Sequence, residues 1–259
     1  MSRGATLFAL KRLHPHLIEQ PEARSLFFDE TTLGHKLNHP CLAKVVDFGE
    51  DELGPYHLQE FVPGPTLASV LSVSPVLPLP VAARIASDLA RGLGFAHNLV
   101  AEDGGPLGVI HRDVNPSNVI VSITGEARVI DFGVARFRGA QSPPNTVRGT
   151  AAYFAPEQAR GEPLDKAVDL FALGAVLYEM LAGVRAFSGP EHVALAKIGT
   201  GEMPKTPVTA PPAMAMILRA LLALYPKRAK EATHIDAALQ AQATTHAEVL
   251  ALLRRLARR

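Results

Sequence analysis

Cysteine, tryptophan and long apolar runs are almost missing from this sequence. Cys41 is the one cysteine among 259 residues, and there is no tryptophan. A single thiol cannot form an internal disulfide or a cysteine zinc site, so we expect a reducing compartment and a cytoplasmic protein. The apolar stretch before Lys11 is too short for a signal peptide. The most apolar segment, residues 169–184, contains Glu179 and is too short to span a membrane.

The chain also lacks a net charge that would attract a polyanion. Its 26 basic and 25 acidic residues leave a formal charge of +1. We therefore expect no nucleic-acid partner and no binding to an anionic membrane surface. With 47% apolar and 20% charged residues, the composition is typical of a soluble globular protein rather than a disordered or fibrous one.

Hydrophobic patterning divides the chain into two parts. The first part predicts a strand at 6–12, a helix at 22–37 and a pair of strands at 42–48 and 56–62. Residues 63–80 are rich in proline and predict a connection built of helix breakers. Beyond them the pattern predicts two short strands within 119–130 and helices at 81–97, 164–181, 191–198, 213–224 and from 234 towards the end. We expect two units, residues 1–62 and 63–259.

One acidic residue lies on the apolar face of the first predicted helix. Leu26, Leu33 and Leu37 recur at helical spacing, and Glu30 falls within the same stripe. A carboxylate directed at the core needs a cation, because burying it unpaired is costly. Lys11, at the end of the preceding strand, is the candidate partner. The alternative is that Glu30 lies at the edge of the stripe and reaches solvent.

Residues 111–131 combine a polar loop with a predicted β-hairpin. Asn118 precedes the first strand and Asp131 follows the second, so both lie at the open end of the hairpin. Oxygen donors of this kind suit Mg²⁺, which takes its other ligands from water and substrate phosphates. Asp113 is near enough in the loop to act as a base or orienting group for a hydroxyl nucleophile. Taken singly, each of these residues has an alternative as an ordinary turn or strand-end residue.

Six motifs follow one another in the order of a known family. They are Phe8-Ala9-Leu10-Lys11, Glu30, His111-Arg112-Asp113 with Asn118, Asp131-Phe132-Gly133, Gly149 to Tyr153 with Ala155-Pro156-Glu157, and Asp169 in an apolar helix. From Phe8 to about Leu239 the chain thus resembles the eukaryotic-like (Hanks-type) bacterial serine/threonine protein kinases. The resemblance implies an α+β, two-lobed kinase fold with a truncated N-terminal lobe and a mainly helical C-terminal lobe.

The same resemblance implies an activity and a set of site residues. ATP and Mg²⁺ would be the cofactors, and Ser or Thr hydroxyls of proteins the acceptors. Lys11 would contact the α- and β-phosphates and be fixed by Glu30, while Asp113 would orient the acceptor hydroxyl. Asn118 and Asp131 would hold the metal. The residues implied around the adenine are Ala9, Gln59, which guards the inner pocket, and the hinge residues Glu60 and Val62.

Further residues are implied in control and support. Arg112 implies regulation by phosphorylation of the activation segment, because an arginine there can pair with a phosphate. The available hydroxyls are those of Ser142, Thr146 and Thr150, and we expect Thr150 to be structural. Asp169 is implied to hold the backbone of the catalytic loop, and Arg228 to pair with Glu157.

The sequence departs from the family pattern in three places, one of which is residues 225–228, which only approximate the family's motif around Arg228. No G-x-G-x-x-G motif precedes Lys11, so we expect the glycine-rich loop and its two strands to be missing, with an exposed strand edge through which the protein dimerises. Either the true start lies upstream, or the chain is a pseudokinase or scaffold that binds nucleotide weakly. Retention of the five site residues favours the enzyme.

Asn115 replaces the usual lysine, which removes one positive charge near the transferred phosphate. Small-molecule kinases of the aminoglycoside type share an aspartate–asparagine loop, but they lack the Ala-Pro-Glu segment. The presence of that segment here argues against this third class.

Overall fold

The structure, a computed structural model, describes residues 7–132, 150–207, 210–224 and 232–257. A small antiparallel sheet and one helix form the first part, and a larger, mainly helical part follows. This arrangement agrees with the α+β class expected from the sequence. Within the described ranges, no helix combines the length and the apolar character needed to cross a bilayer.

The first part contains three strands and one long helix. Strand β1 (Phe8–Arg12) is followed by α1 (Pro21–Lys36), β2 (Val45–Asp51) and β3 (Gly54–Glu60), and the strand order in the sheet is β1-β3-β2. β1 pairs with β3 on one side. Its other side has no partner strand among the described residues, and dimerisation through this edge stays a prediction.

Helix α1 packs closely against the sheet at one glycine. Gly34 is buried on the face towards β2, and a Cβ at this position would overlap the side chain of Val45. Any larger residue would therefore push α1 away from β2. The close approach matters for the site, because Glu30 lies one helical turn before Gly34 on the same side of the helix.

The second part consists of helices around two short strands. The elements are α2 (Leu67–Val73), α3 (Leu79–His97), β4 (Val119–Val121), β5 (Ala127–Val129), α4 (Pro156–Ala159), α5 (Ala167–Ala182), α6 (Glu191–Thr200), α7 (Pro212–Leu222), α8 (Ala232–Gln240) and α9 (His246–Leu256). Helix α5 is buried along almost its whole length, with Phe171 and Leu177 at 1% and 0% exposure. Helices α3 and α7 pack against it, which places α5 inside the core.

The hairpin β4–β5 connects the two parts. The amide of Ala43 donates to the carbonyl of Val129 at 3.0 Å, and the amide of Val129 donates to the carbonyl of Cys41 at 2.9 Å. Cys41 is buried, and burial raises the pKa of its thiol to about 12. The segment before β2 thus lies directly on the hairpin that carries Asn118 and Asp131 at its ends.

Two expectations about helices are wrong. The proline-rich segment 63–80 contains α2, because its prolines flank the helix instead of interrupting it. Thr66 caps this helix by accepting the amide of Ser69 at 3.1 Å, and Leu67 and Leu71 are buried. The predicted C-terminal helix is two helices, α8 and α9, and a new N-cap at Thr245 begins the second.

Candidate active site

Lys11 lies between two carboxylates. Its Nζ is 2.7 Å from Oε1 of Glu30 and 2.6 Å from Oδ1 of Asp131. Burial acts to lower the pKa of Lys11, but the two carboxylates outweigh it and the pKa lies above its ordinary value. Burial raises the pKa of Glu30, and Lys11 opposes this only in part. The Glu30 side chain is 10% exposed and does not lie free at the edge of the stripe: it is largely buried beside the cation that the helix pattern requires.

A buried histidine lies beneath Lys11. His57 is directly opposite Lys11 in the β1–β3 ladder, and its ring stacks on Phe27 of α1 at 5.3 Å. Its Nδ1 is 3.3 Å from the hydroxyl of Thr31, which donates its own proton to the carbonyl of Phe27 at 2.8 Å. Burial and then the charge of Lys11 lower the pKa of His57 to about 4. A neutral imidazole on β3, the strand paired with the lysine strand, therefore contacts α1.

Asp113 accepts three hydrogen bonds. Oδ1 accepts from Nδ2 of Asn115 at 2.9 Å and from the amide of Thr150 at 2.8 Å, and Oδ2 accepts from Nδ2 of Asn118 at 2.9 Å. Asn115 also accepts the amide of Ser117 at 2.9 Å, which caps the short 3₁₀ turn Pro116–Asn118. The carboxylate thus has one fixed orientation, and a neutral amide stands where the family has a lysine.

Asp169 anchors the loop that carries Asp113. At the first turn of α5 and 1% exposed, it accepts the amides of His111 and Arg112, each at 2.8 Å, and lies 2.8 Å from Nε2 of His97. Burial acts to raise the pKa of Asp169, but the hydrogen bonds from His97 and from the Arg112 amide lower it on balance. The geometry therefore has Asp169 holding the loop backbone at two consecutive residues.

Backbone strain occurs at two positions of the site. Arg112 has φ 70° and Asp131 has φ 62°, and these are the non-glycine residues with positive φ within the described parts of the chain. Such conformations cost about 1 to 3 kcal/mol each and persist only where the surroundings enforce them. Asp169 enforces the first by binding the Arg112 amide.

The two ends of the hairpin meet as the sequence predicts. The amide of Ile130 donates to the carbonyl of Asn118 at 2.9 Å, so Asn118 and Asp131 lie at the same open end. The amide nitrogen of Asn118 is bound to Asp113, which leaves its side-chain oxygen as the donor for a cation. No three or more His, Cys, Asp or Glu side chains of the described chain form a metal cluster. Two oxygen donors fit Mg²⁺, whose other ligands are waters and phosphates.

His111 joins the catalytic loop to the residues after β5. Its Nδ1 accepts the amide of Asp113 at 3.2 Å, so its Nε2 carries the proton and donates to the carbonyl of Ile130 at 3.2 Å. Its ring contacts Phe132, with centroids 4.4 Å apart. The fully buried imidazole therefore sets the spacing between the loop and Asp131.

The residues implied around adenine lie along β1 and β3. Gln59 donates from Nε2 to the carbonyl of Ala43 at 3.1 Å, and Glu60 forms an ion pair with Arg128 at 2.5 Å. Val62 is buried, and Ala9 is exposed on β1. The side chain of Glu60 is bound to Arg128 and its amide donates to the carbonyl of Lys44 at 2.8 Å, so both groups already have a partner.

The activation-segment predictions are only partly within the described residues. Ser142, Thr146 and Arg228 lie outside them. Thr150 contacts Asp113 through its amide, and Glu157 is buried at 4% exposure. The Glu157–Arg228 pair and the phosphorylation sites stay predictions.

Several contacts of the site had no signal in the sequence. His97 stands at the end of α3 without a motif, and His57 lies in an ordinary strand pattern. Gln158 donates from Nε2 to the carbonyl of Arg112 at 3.2 Å, and the hydroxyl of Tyr153 donates to Glu179 at 2.6 Å. Only the departure at Asn115 was visible, because the family motif marks that position.

These features define a protein kinase site, and the comparison with known proteins agrees. The sequence matches the protein kinase domain family over residues 2–237, so the chain belongs to this family. A tyrosine-protein kinase, MasK of Myxococcus xanthus, is 40% identical over 192 residues, covering 72% of this chain and 30% of the relative.

Two relatives with serine/threonine names come from mycobacteria. The serine/threonine-protein kinase PknB of Mycobacterium leprae is 37% identical over 206 residues, 77% of this chain and 32% of the relative. PknB of Mycolicibacterium smegmatis is 36% identical over 207 residues, with the same two shares. The chain therefore spans about a third of the length of the curated relatives that it matches.

Proposed function

We propose that this chain transfers the γ-phosphoryl group of ATP to Ser or Thr hydroxyls of proteins. The observation that carries the proposal is the convergence of Lys11 with Glu30 and Asp131, together with an Asp113 carboxylate fixed by three donors. A site that merely bound nucleotide would have no need of an oriented carboxylate beside it.

The chain's residues divide the work of the reaction. Lys11 binds the α- and β-phosphates, and Glu30 keeps its ammonium group in place. Asn118 and Asp131 would hold Mg²⁺, which neutralises charge on the phosphates when bound. Asp113 accepts a hydrogen bond from the acceptor hydroxyl. The hydroxyl oxygen then bonds to the γ-phosphorus, the bond to ADP breaks, and the hydroxyl proton passes to Asp113.

Asn115 changes the charge but not the order of this site. Its amide fixes Asp113 as a donor, yet it brings no positive charge to the transferred phosphate, so we expect slower transfer than a lysine would give. We also propose that phosphorylation of Ser142 or Thr146 stimulates the enzyme through Arg112. A cytoplasmic location and dimerisation through the β1 edge complete the proposal.

Transfer is tested directly with the purified chain. It is incubated with radiolabelled ATP, Mg²⁺ and myelin basic protein, and the labelled amino acids are separated after hydrolysis. We expect phosphoserine and phosphothreonine, with a loss of at least about a hundredfold in Asp113→Asn because the oriented base is gone. Asp47→Asn, on the exposed face of β2, is the matched control.

Two results would contradict the proposal. Equal labelling by the parent and by Asp113→Asn would remove the enzymatic function. Labelling on tyrosine alone would change the acceptor class.

A pseudokinase or scaffold is the second candidate, because the 259 residues contain no G-x-G-x-x-G motif. It predicts weak or no binding of an ATP analogue, and no transfer.

A further inference from the structure

The helix α9 covers the turn of the hairpin that carries Asn118 and Asp131. This helix, His246–Leu256, lies beyond residues 2–237, the part of the chain that matches the kinase family. The turn joining β4 to β5 includes Gly125, whose φ is 97°, and a Cβ there would overlap the main-chain carbonyl of His246. Only glycine at this position allows the start of α9 to lie on the turn.

A buried carboxylate joins the helix to the hairpin. Asp88 of α3 has a side chain that is 1% exposed, and its Oδ2 accepts the amide of Ala127 in β5 at 3.0 Å. Nε2 of His246 lies 2.9 Å from the same oxygen and 3.2 Å from Oδ1. Burial raises the pKa of Asp88, against the opposing effects of the Ala127 amide and His246. One carboxylate therefore binds the first residue of α9 and the first residue of β5.

The start of α9 is fixed to α3 at further points. The amide of Thr244 donates to the carbonyl of Pro80 at 3.0 Å, and Nε of Arg84 donates to the carbonyl of Thr244 at 2.7 Å. Thr245 caps the helix, and Val249 is buried against the core. His246 therefore presents its ring to Asp88 from a fixed backbone.

The hairpin is short enough to transmit this contact. Each strand has three residues, and the amide of Ile130 is bound to the carbonyl of Asn118 at the open end. A displacement at the turn cannot be absorbed within strands of that length, because their ladder pairs every residue from Val119 to Val121.

We propose that α9 is an intramolecular clamp on the β4–β5 hairpin, and that Asp88 and His246 are positioning residues for Asn118 and Asp131. The proposal rests on the proposed function, since it assigns the clamp an effect on the metal-holding end of that site. Asp113 contacts the hairpin end through Asn118, but its other oxygen is held by Asn115 and by the amide of Thr150, and Asp169 anchors its loop separately. The clamp therefore acts mainly on binding of the metal–nucleotide complex and less on acceptor binding.

The first test uses His246→Ala, with His246→Gln as the conservative variant and His234→Ala as the matched control. His234 is an exposed histidine on α8. We expect the affinity for Mg²⁺ with a non-hydrolysable ATP analogue to fall about fivefold in His246→Ala, the effect of one lost hydrogen bond. The Michaelis constant for the protein acceptor should change less than this affinity. His246→Gln, whose amide can donate to Asp88, should restore the affinity to within about twofold.

The second test measures hydrogen exchange and needs no catalysis. In His246→Ala, the amide of Ala127 should exchange about tenfold faster than in the parent, because its acceptor is no longer fixed. By linkage, the analogue with Mg²⁺ should slow exchange in residues 246–256 of the parent. Gly125→Ala, which wedges the turn away from α9, should reproduce the faster exchange at Ala127.

The outcomes separate the clamp from the proposed function. If the parent fails to bind the analogue, the proposed function fails, and exchange at Ala127 decides the clamp alone. If His246→Ala melts at a lower temperature while analogue affinity and Ala127 exchange match the His234→Ala control, α9 has only a structural role and the clamp is wrong. Failure of His246→Gln to restore either quantity would equally refute it.

Discussion

The loop that carries Asp113 is fixed by hydrogen bonds to buried groups, whereas the pair of Lys11 and Glu30 depends on the packing of α1 against the sheet. Asp169, which is almost fully buried, accepts hydrogen bonds from two loop amides. The side chain of Lys11 keeps 37% exposure, and its partners come from α1 and from the end of the hairpin. The acceptor side of the site is therefore built in advance, and the nucleotide side is set by the relative position of three elements.

The largest expected effect is on the acceptor side of the site, at Asp169. In Asp169→Ala two buried loop amides and His97 lose their acceptor, so we expect the free energy of unfolding to fall by about 3 to 5 kcal/mol. Chemical denaturation measures this. Asp165→Ala is the control, because Asp165 accepts one amide, that of Ala167, at 2.8 Å and its loss should cost about 1 kcal/mol. Equal losses in the two variants would mean that Asp169 is not the anchor of the loop.

On the nucleotide side, His57 should make the free energy of unfolding depend on pH. Its pKa falls from 6.5 to about 4 on folding, so the unfolded chain binds a proton that the folded chain excludes between these values. The free energy of unfolding should therefore decrease as the pH falls from 6.5 towards 4, by up to about 3 kcal/mol. Denaturation at pH 7 and pH 4.5 measures the difference.

A histidine-to-leucine exchange tests the source of that dependence. His57→Leu should remove most of the slope, and His234→Ala should keep it. If the slope survives in His57→Leu, the buried imidazole does not link β3 to α1 in the way described.

Lys11 sharpens the comparison further. Lys11→Met should weaken binding of the ATP analogue with Mg²⁺ about tenfold or more, because an ammonium group on the phosphates is lost. It also leaves Glu30 buried without its cation, which lowers stability. The double variant Lys11→Met/Glu30→Gln should recover stability but not affinity. Thermal shift with and without the analogue measures both, and unchanged binding in Lys11→Met would separate Lys11 from the nucleotide.

The smallest expected effect is at Asn115. Asn115→Ala removes one donor from Asp113, so we expect transfer to slow about fivefold with little change in nucleotide affinity. Asn98→Ala, which loses one side-chain hydrogen bond to the carbonyl of Gly94 and none to Asp113, is the matched control. Initial rates at saturating ATP measure the effect. A rate equal to that of the control would mean that the Asn118 and Thr150 contacts suffice to orient the base.

Much of the site could be predicted because its residues break a local pattern. Glu30 interrupts an apolar stripe, and Asn118 and Asp131 flank a hairpin, so each signals itself within its own element. His57 and His97 could not be predicted, because their partners lie in other elements and a strand or helix pattern tolerates either residue. Contacts between distant elements leave no periodic trace in the sequence.

The fold was predictable to a similar degree and for similar reasons. Helix α3 repeats the helical period many times, and α5 is recognised by the length of its apolar run. Helix α2 has seven residues between prolines, too few for a clear period, and the boundary between α8 and α9 depends on one cap at Thr245. Short elements are decided by caps and burial rather than by repetition.

The buried thiol of Cys41, between the sheet and the hairpin, can report on separation of the two parts without an added label. Cys41 remains protonated at neutral pH and out of reach of a thiol reagent while the two parts stay together, since only a thiolate reacts. The rate of reaction of Cys41 with Ellman's reagent therefore measures how often the two parts separate. No label is needed, and no other cysteine contributes to the signal.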